Sequence, residues 1–215
     1  MKATSKLFLN RLIEKYPSLS ACEASIFYAC EILIDCYKRN GKALICGNGG
    51  SAADAGHIVG ELMKGFLLKR EIPNADISAI RAAYPNDAEL LSKRLQGSLP
   101  AIALTEHAAL NTAYANDVDA EMIFAQQVYG YGAEGDVLVA ITTSGNARNV
   151  INAVKVARSF GLKVIGLTGE SGGLLNACCD ACVRVPSSST PEIQELHLPV
   201  YHALCAAVEE EFFGG

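Results

Sequence analysis

Everything else in the chain is arranged around Cys46-Gly47-Asn48-Gly49-Gly50-Ser51-Ala52-Ala53-Asp54-Ala55-Gly56-His57-Ile58-Val59-Gly60-Glu61. A short apolar run, Ala43-Leu44-Ile45, comes before it with the length and texture of a buried strand. A helical pattern follows it: Ser51 can cap, small residues come next, and apolar positions recur toward Leu62 and Met63. Glycines in the turn let the backbone pass close to a ligand with its N–H groups exposed. A helix that starts there directs the positive end of its dipole at the same point, which suits a phosphate. His57 and Glu61 lie four apart and so share one helix face. One strand–loop–helix unit thus carries an anion cradle and an imidazole–carboxylate pair.

Outward from this unit the chain alternates strands and helices. Residues 4–16 form a short amphipathic helix, with apolar positions at Leu7, Phe8, Leu12 and Ile13, that breaks near Pro17. Ser20 and Glu23 have the spacing of a capping box, and Ile26, Phe27, Cys30, Leu33, Ile34 and Tyr37 continue at helical spacing to Gly41. These N-terminal helices, within residues 1–41, exceed what a minimal α/β unit needs. Their apolar stripes must be buried, and another copy of the protein is the expected cover. Further strands are expected at Leu99–Leu104, Asp136–Ile141, Lys163–Leu167 and Ala181–Val185. Helices are expected near Ala88–Leu95, Thr105–Ala115, Ala120–Tyr131, Ala147–Phe160 and Glu192–Phe212. Residues 66–98 read as an excursion of unassigned role, a lid or an interface element. The pattern predicts one domain over 1–215, a parallel five-stranded sheet covered by helices on both faces. Right-handed crossovers then bring all the βα loops to the carboxyl edge of the sheet.

Composition narrows the function classes. A chain of 215 residues with half its residues apolar and 19% charged is an ordinary globular protein that can bury a core of its own. A net charge of -5 speaks against a general nucleic-acid binder, and it leaves backbone amides and hydroxyls, more than lysines, to hold a phosphate. No apolar run approaches the roughly 20 residues that span a bilayer, so no membrane association is expected. Met1-Lys2-Ala3-Thr4-Ser5-Lys6 does not read as a secretory signal, which predicts a cytoplasmic protein with its eight cysteines reduced. Cys179 and Cys182 form a lone C-x-x-C without the second pair that a structural zinc site needs.

The glycine loop formally fits G-x-G-x-x-A. A dinucleotide fold would place a second strand with a terminal acid about 20 residues on, where this chain has Phe66-Leu67-Leu68-Lys69-Arg70. No G-K-[ST] is present, which excludes a Walker loop. A second cradle, Thr142-Thr143-Ser144-Gly145-Asn146, follows a buried strand and combines three hydroxyls with the N–H groups of a helix start. Such a turn is often no more than a helix cap, but a second loop of this kind on the same sheet edge favours phosphate. In the last helix, Gln194 and His202 are eight apart, about 12 Å along the axis. For both to grip one metal, the helix must distort or neighbouring subunits must contribute. His197 reads as structural, and His107 beside Glu106 is left unassigned.

These motifs resemble the sedoheptulose-7-phosphate isomerases (phosphoheptose isomerases) of the SIS-domain class. The likeness rests on Cys46–Ala55 with His57 and Glu61, on Ala115-Asn116-Asp117, on Thr143-Ser144-Gly145-Asn146, and on Ile193-Gln194-Glu195-Leu196-His197 with His202. The resemblance implies a three-layer αβα sandwich of flavodoxin-like type and a homotetramer with sites at subunit interfaces. It implies conversion of D-sedoheptulose 7-phosphate to D-glycero-D-manno-heptose 7-phosphate for the heptose nucleotides of surface polysaccharides. By the same resemblance one Zn2+ per subunit is held by His57, Glu61, Gln194 and His202. Substrate contacts fall to Asn48, Gly49, Gly50, Ser51, Glu61, Asn116, Asp117, Thr142, Thr143, Ser144 and Gln194, and the catalytic pair is Glu61 and His202. Two departures stand out: Ala147 replaces a common second serine of the phosphate site, and Lys64-Gly65-Phe66 lacks the family's usual arginine. The competing readings are a non-catalytic SIS protein that binds the replication initiator DnaA, and an isomerase of another sugar phosphate.

Overall fold

A computed structural model describes residues 1–215. Its centre is a five-stranded, all-parallel sheet in the order β2-β1-β3-β4-β5, with β1 Ala43–Gly47, β2 Ala101–Ala103, β3 Val137–Ile141, β4 Lys163–Thr168 and β5 Ala181–Arg184. The strands are short apolar runs because both faces are covered, so no polar alternation is required. Side chains still alternate between two cores. Ile45, Val139, Ile165 and Leu167 face the larger core, while Leu44, Cys46, Leu138, Ala140 and Val164 face the smaller one.

The larger core is closed by α1 (Ala3–Lys15), α2 (Glu23–Lys38), α3 (Gly50–Met63) and α9 (Thr190–Phe213). The smaller core is closed by α7 (Ile123–Tyr131) and α8 (Arg148–Ser159). No helix is long and apolar enough to cross a membrane. The strand order reverses direction between β1 and β3, and the loops after these two strands flank the reversal. Ligands of open α/β sheets bind at this point.

Three local expectations are corrected. The apolar stripes of α1 and α2 are covered in large part by their own chain, α1 lying along α9 and α2 against α9 and β5, while Leu7 stays 49% exposed. Leu9, Leu12, Ile26 and Leu33 join the larger core there. The capping box at Ser20 and Glu23 is absent. A 3-10 turn over Pro17–Cys22 runs straight into α2, and the Glu23 N–H is satisfied by the Ser20 carbonyl instead of a side chain. The excursion is also shorter than 66–98, because residues 66–70 are tied into the core. What loops out is α4 (Asn74–Ala83), which buries no residue, and α5 (Ala88–Arg94), which buries only Ala88. The two ends of this loop are pinned together by the Gly97 N–H donating to the Arg70 carbonyl at 3.2 Å.

Candidate active site at the sheet edge

The first cradle is the turn from β1 into α3. Gly49 sits at φ 57°, a left-handed conformation that costs a side-chain-bearing residue energy. Gly50 is small for a different reason: a Cβ there would run into the amide of Gln194. The glycine run thus permits both the turn and the close approach of α9. α3 begins here, so its first N–H groups and its dipole are directed toward the loop.

The second cradle is the turn from β3 into α8. Thr142 is buried at the end of β3, and its N–H donates to the Leu167 carbonyl at 3.0 Å. The Thr143 carbonyl accepts from the Gly169 N–H at 3.0 Å, and exposed Ser144 accepts from the Asn146 N–H at 3.2 Å. Gly145 at φ 70° presses on the Gly172 backbone, where no Cβ fits. The two cradles are joined by a reciprocal amide pair: Asn48 and Asn149 each donate to the other at 2.9 Å. Asn149 lies on α8, so the glycine loop and the hydroxyl loop hold a fixed spacing.

Farther along α3 lies the titratable group. His57 Nε2 is 3.2 Å from Glu61 Oε1 and 3.4 Å from His202 Nε2. Lys64 Nζ stands 3.3 Å from the other Glu61 oxygen. The far side of the His57 ring contacts the Tyr201 hydroxyl at 3.0 Å, and Tyr201 reaches Asp54 Oδ1 at 3.2 Å. Burial lowers the pKa of His202, and the nearby His57 charge adds to this, while Glu61 opposes it. Burial likewise raises the Asp54 carboxyl against the opposing effects of Tyr201 and His57. In a single chain this group is open on one side, with the His57 side chain 43% exposed.

Two imidazole nitrogens and a carboxylate oxygen that converge in this way suit a divalent cation. The two separations from His57 Nε2, 3.2 and 3.4 Å, are close to the edge of about 3.3 Å that a tetrahedral site with bonds near 2.0 Å would have. Both short approaches run through His57 Nε2, and no closed group of three His, Cys, Asp or Glu donors forms. Gln194 lies elsewhere. Its amide covers Gly50, seven residues and about 10 Å of helix before His57. Within one chain Gln194 therefore belongs to the cradle end and His202 to the titratable end. Asn116 and Asp117 occupy a π-helical turn, Ala115–Asp119, that follows α6 (Ala108–Tyr114). They are exposed and their side chains bond only to each other, so no hydrogen bond joins them to either cradle.

The remaining expected residues are structural. His197 is fully buried, and His107 is held by Gln127 at 2.6 Å. All eight cysteines are free.

Two connections beneath the site have no signal in the sequence. Arg70 and Glu209 form a buried ion pair, and Glu209 also accepts from the N–H groups of Phe66, Leu67 and Leu68. Arg70 donates in turn to the carbonyls of Glu61 and Leu62 at 2.8 and 2.6 Å, closing the C-terminal end of α3. The other connection is the Asp54–Tyr201–His57 chain. Only the helical face shared by Tyr201 and Leu204 could have pointed to burial there.

With this geometry in place, the likenesses to known proteins are informative. A family model for the SIS domain matches residues 91–169. The phosphoheptose isomerase of Rhodospirillum rubrum is 39% identical over 210 residues, covering 98% of this chain and 98% of its own length. Solved structures of phosphoheptose isomerases from Neisseria gonorrhoeae and Francisella tularensis align with TM-scores of 0.73 and 0.72 at 33% and 32% identity. They cover 97% and 98% of this chain, and 96% and 100% of their own. The chain belongs to the phosphoheptose isomerase family, phosphosugar isomerases built on the SIS domain.

Proposed function

We propose that the chain interconverts D-sedoheptulose 7-phosphate and D-glycero-D-manno-heptose 7-phosphate through an enediol, with Glu61 as base and His202 as acid. The observation that carries this reading is the juxtaposition of Glu61 and His202 about His57, at 3.2 and 3.4 Å, where α9 brings His202 against the helix whose first turn forms the cradle. Ketose–aldose isomerisation needs a base to take the C1 proton and an acid to protonate the carbonyl oxygen. A carboxylate suits the first task and an imidazole the second. The two roles require both groups at the same end of the substrate, and the approach of Glu61 and His202 to His57 supports that reading.

The length of α3 supports a long substrate. Ser51 and His57 are six residues apart, about 9 Å of helix. An extended seven-carbon chain with bonds near 1.5 Å and a terminal phosphate spans roughly 10 Å. Phosphate held by Ser51 and the 142–144 turn would leave C1 near Glu61. Asn48, Gly49, Gly50, Thr142, Thr143, Ser144 and Gln194 are proposed as the other contacts at the phosphate end. Asn116 and Asp117 are proposed to reach the sugar.

One Zn2+ per subunit is proposed, held by His57, Glu61, His202 and Gln194, the last contributed by a neighbouring subunit. Bound there, it would supply Lewis acidity to the carbonyl oxygen. A cytoplasmic homotetramer with sites at subunit interfaces is the proposed working form. The open side of the site and the exposed apolar residues Met63, Leu67 and Val118 support that reading.

The test is Glu61→Gln in a coupled assay that converts the product with a heptose 7-phosphate kinase. Loss of turnover with retained sugar-phosphate binding is expected, and normal activity would overturn the assignment. Wild-type protein that binds the sugar phosphate but never turns it over would favour a binding role.

A further inference from the structure

We infer that Cys179 and Cys182 are a redox-active dithiol at the open edge of the sheet, closed to a disulfide by hydrogen peroxide and reopened by thiol reductants. Neither thiol takes part in the proposed reaction, so the inference stands apart from it.

The seat for the pair is made by a missing side chain. β5 is an edge strand, and Gly166 of β4 is the register partner of Cys182. Neighbouring strands lie about 4.8 Å apart. Ile165 and Leu167, which flank Gly166, and Ala181 and Val183, which flank Cys182, all face the larger core. Gly166 and Cys182 therefore share the opposite face. Cys179 Sγ stands 2.6 Å from where a Gly166 Cβ would be. It occupies the place of the lateral neighbour of Cys182, and the two thiols meet side chain to side chain. Sulfurs in contact on one face meet the proximity that a disulfide needs.

Access and charge separate this pair from most of the other cysteines. Cys22, Cys30, Cys36, Cys46 and Cys205 are buried. Burial pushes the Cys22 thiol up to about 11 and those of Cys30, Cys36 and Cys46 up to about 12. Cys179 and Cys182 are only half-buried and line an open cavity of about 520 Å³. Arg184 lines it too, two residues beyond Cys182 and so on the same face of β5. A hydrogen bond from the Cys179 thiol holds Cys182 below the ordinary thiol range against the effect of burial, and Arg184 adds to this. Asp180 in the same wall is taken up by Lys163 at 2.8 Å. Peroxide-sensitive cysteines have this setting: thiolate character, access from solvent and a second cysteine in reach.

The chemistry balances without a cofactor. The Cys182 thiolate attacks one peroxide oxygen, the O–O bond breaks, and the hydroxide released takes a proton to become water. The Cys179 sulfur then attacks the sulfenic sulfur of Cys182. The S–O bond breaks, and the hydroxyl leaves as water with the Cys179 proton. Two thiols give up two electrons, and one peroxide becomes two waters.

The experiment treats reduced, chelator-washed full-length protein with hydrogen peroxide, then unfolds it, alkylates the remaining thiols and maps tryptic peptides by mass. Cys178, Cys179 and Cys182 share the peptide Val164–Arg184. This peptide is expected to lose two hydrogens and to carry a single alkyl group, on Cys178, while the five buried cysteines are alkylated in full. Dithiothreitol after peroxide should restore three alkyl groups. In Cys179→Ser, which lacks the second thiol, dimedone should label Cys182 as a sulfenic acid. Full alkylation of Val164–Arg184 after peroxide would overturn the inference. So would a bridge that uses Cys178, an oxidation that dithiothreitol does not reverse, or a Cys179→Ser protein that dimedone does not label at Cys182.

Discussion

Arg70 and Glu209 are joined Nε to Oε1 at 2.7 Å with both side chains at most 1% exposed, and the pair ties the C-terminal end of α3 to α9. Glu209 is seven residues beyond His202 and so lies on the same face of α9 two turns on. α3 carries His57 and Glu61, and α9 carries His202. The ion pair therefore sets the spacing of the helices that form the titratable group. Removal of one partner leaves a buried charge unmatched, which typically costs 3–5 kcal/mol. Glu209→Gln or Arg70→Met is expected to lower the unfolding free energy by about that amount, read by urea denaturation. A loss of less than about 1 kcal/mol would contradict the clamp, since that is the level of an exposed pair.

Glu61→Gln keeps size and hydrogen bonding but removes the base. A fall in kcat of about 10²–10⁴ is expected, the usual worth of a positioned proton-transfer group. Calorimetric binding of the sugar phosphate should persist.

Ala147 is the N-cap of α8 and makes no side-chain cap bond. Ala147→Ser supplies that cap and a further hydroxyl beside the Thr142–Ser144 turn. A gain of about 1 kcal/mol in stability is expected, with a lower KM for the phosphosugar. An unchanged KM would place residue 147 outside the phosphate site.

Gly145→Ala should have the opposite effect. The residue sits at φ 70° with the Gly172 carbonyl where a Cβ would be. The left-handed conformation alone costs roughly 1–2 kcal/mol, and the overlap forces the 142–146 turn to shift. Lower thermal stability and weaker phosphate binding are expected together.

His197 makes stability sensitive to acid. Burial pushes its pKa down from 6.5 to about 4, the Thr168 backbone offsetting only part of that, and neither ring nitrogen has a partner of good geometry. The unfolded chain takes up the proton near pH 6.5 while the folded chain resists until about pH 4. The contribution is thus complete above pH 6.5, is lost as pH falls toward 4, and amounts to about 3 kcal/mol at 1.36 kcal/mol per pKa unit. Chemical denaturation across that range should show this slope, and His197→Leu should flatten it.

Much of the fold is legible in the sequence because buried parallel strands are short apolar runs between glycine-rich turns. All five strands and the βα loops follow from that pattern, and the His57–Glu61 contact follows from helical spacing alone. The capping box failed because Pro17 starts a 3-10 turn whose carbonyls already satisfy the first N–H groups of α2. The burial of Arg70 and Glu209 has no local signal, since nothing nearby in sequence distinguishes a charged residue whose partner is 139 positions away. The Asp54–Tyr201 contact spans 147 positions and is hidden for the same reason. Gln194 is a case of geometry deciding between roles: spacing leaves it open to cradle or metal, and the close packing of α9 on Gly50 puts it at the cradle within one chain.

The most direct test of the account is isomerase activity of purified, zinc-supplied protein on sedoheptulose 7-phosphate, with a heptose 7-phosphate kinase downstream and the bisphosphate detected by mass. The account requires product in the wild type, and its loss in both His202→Ala and chelator-treated protein. Product undiminished in His202→Ala, or none from folded wild type that binds the sugar phosphate, would contradict it.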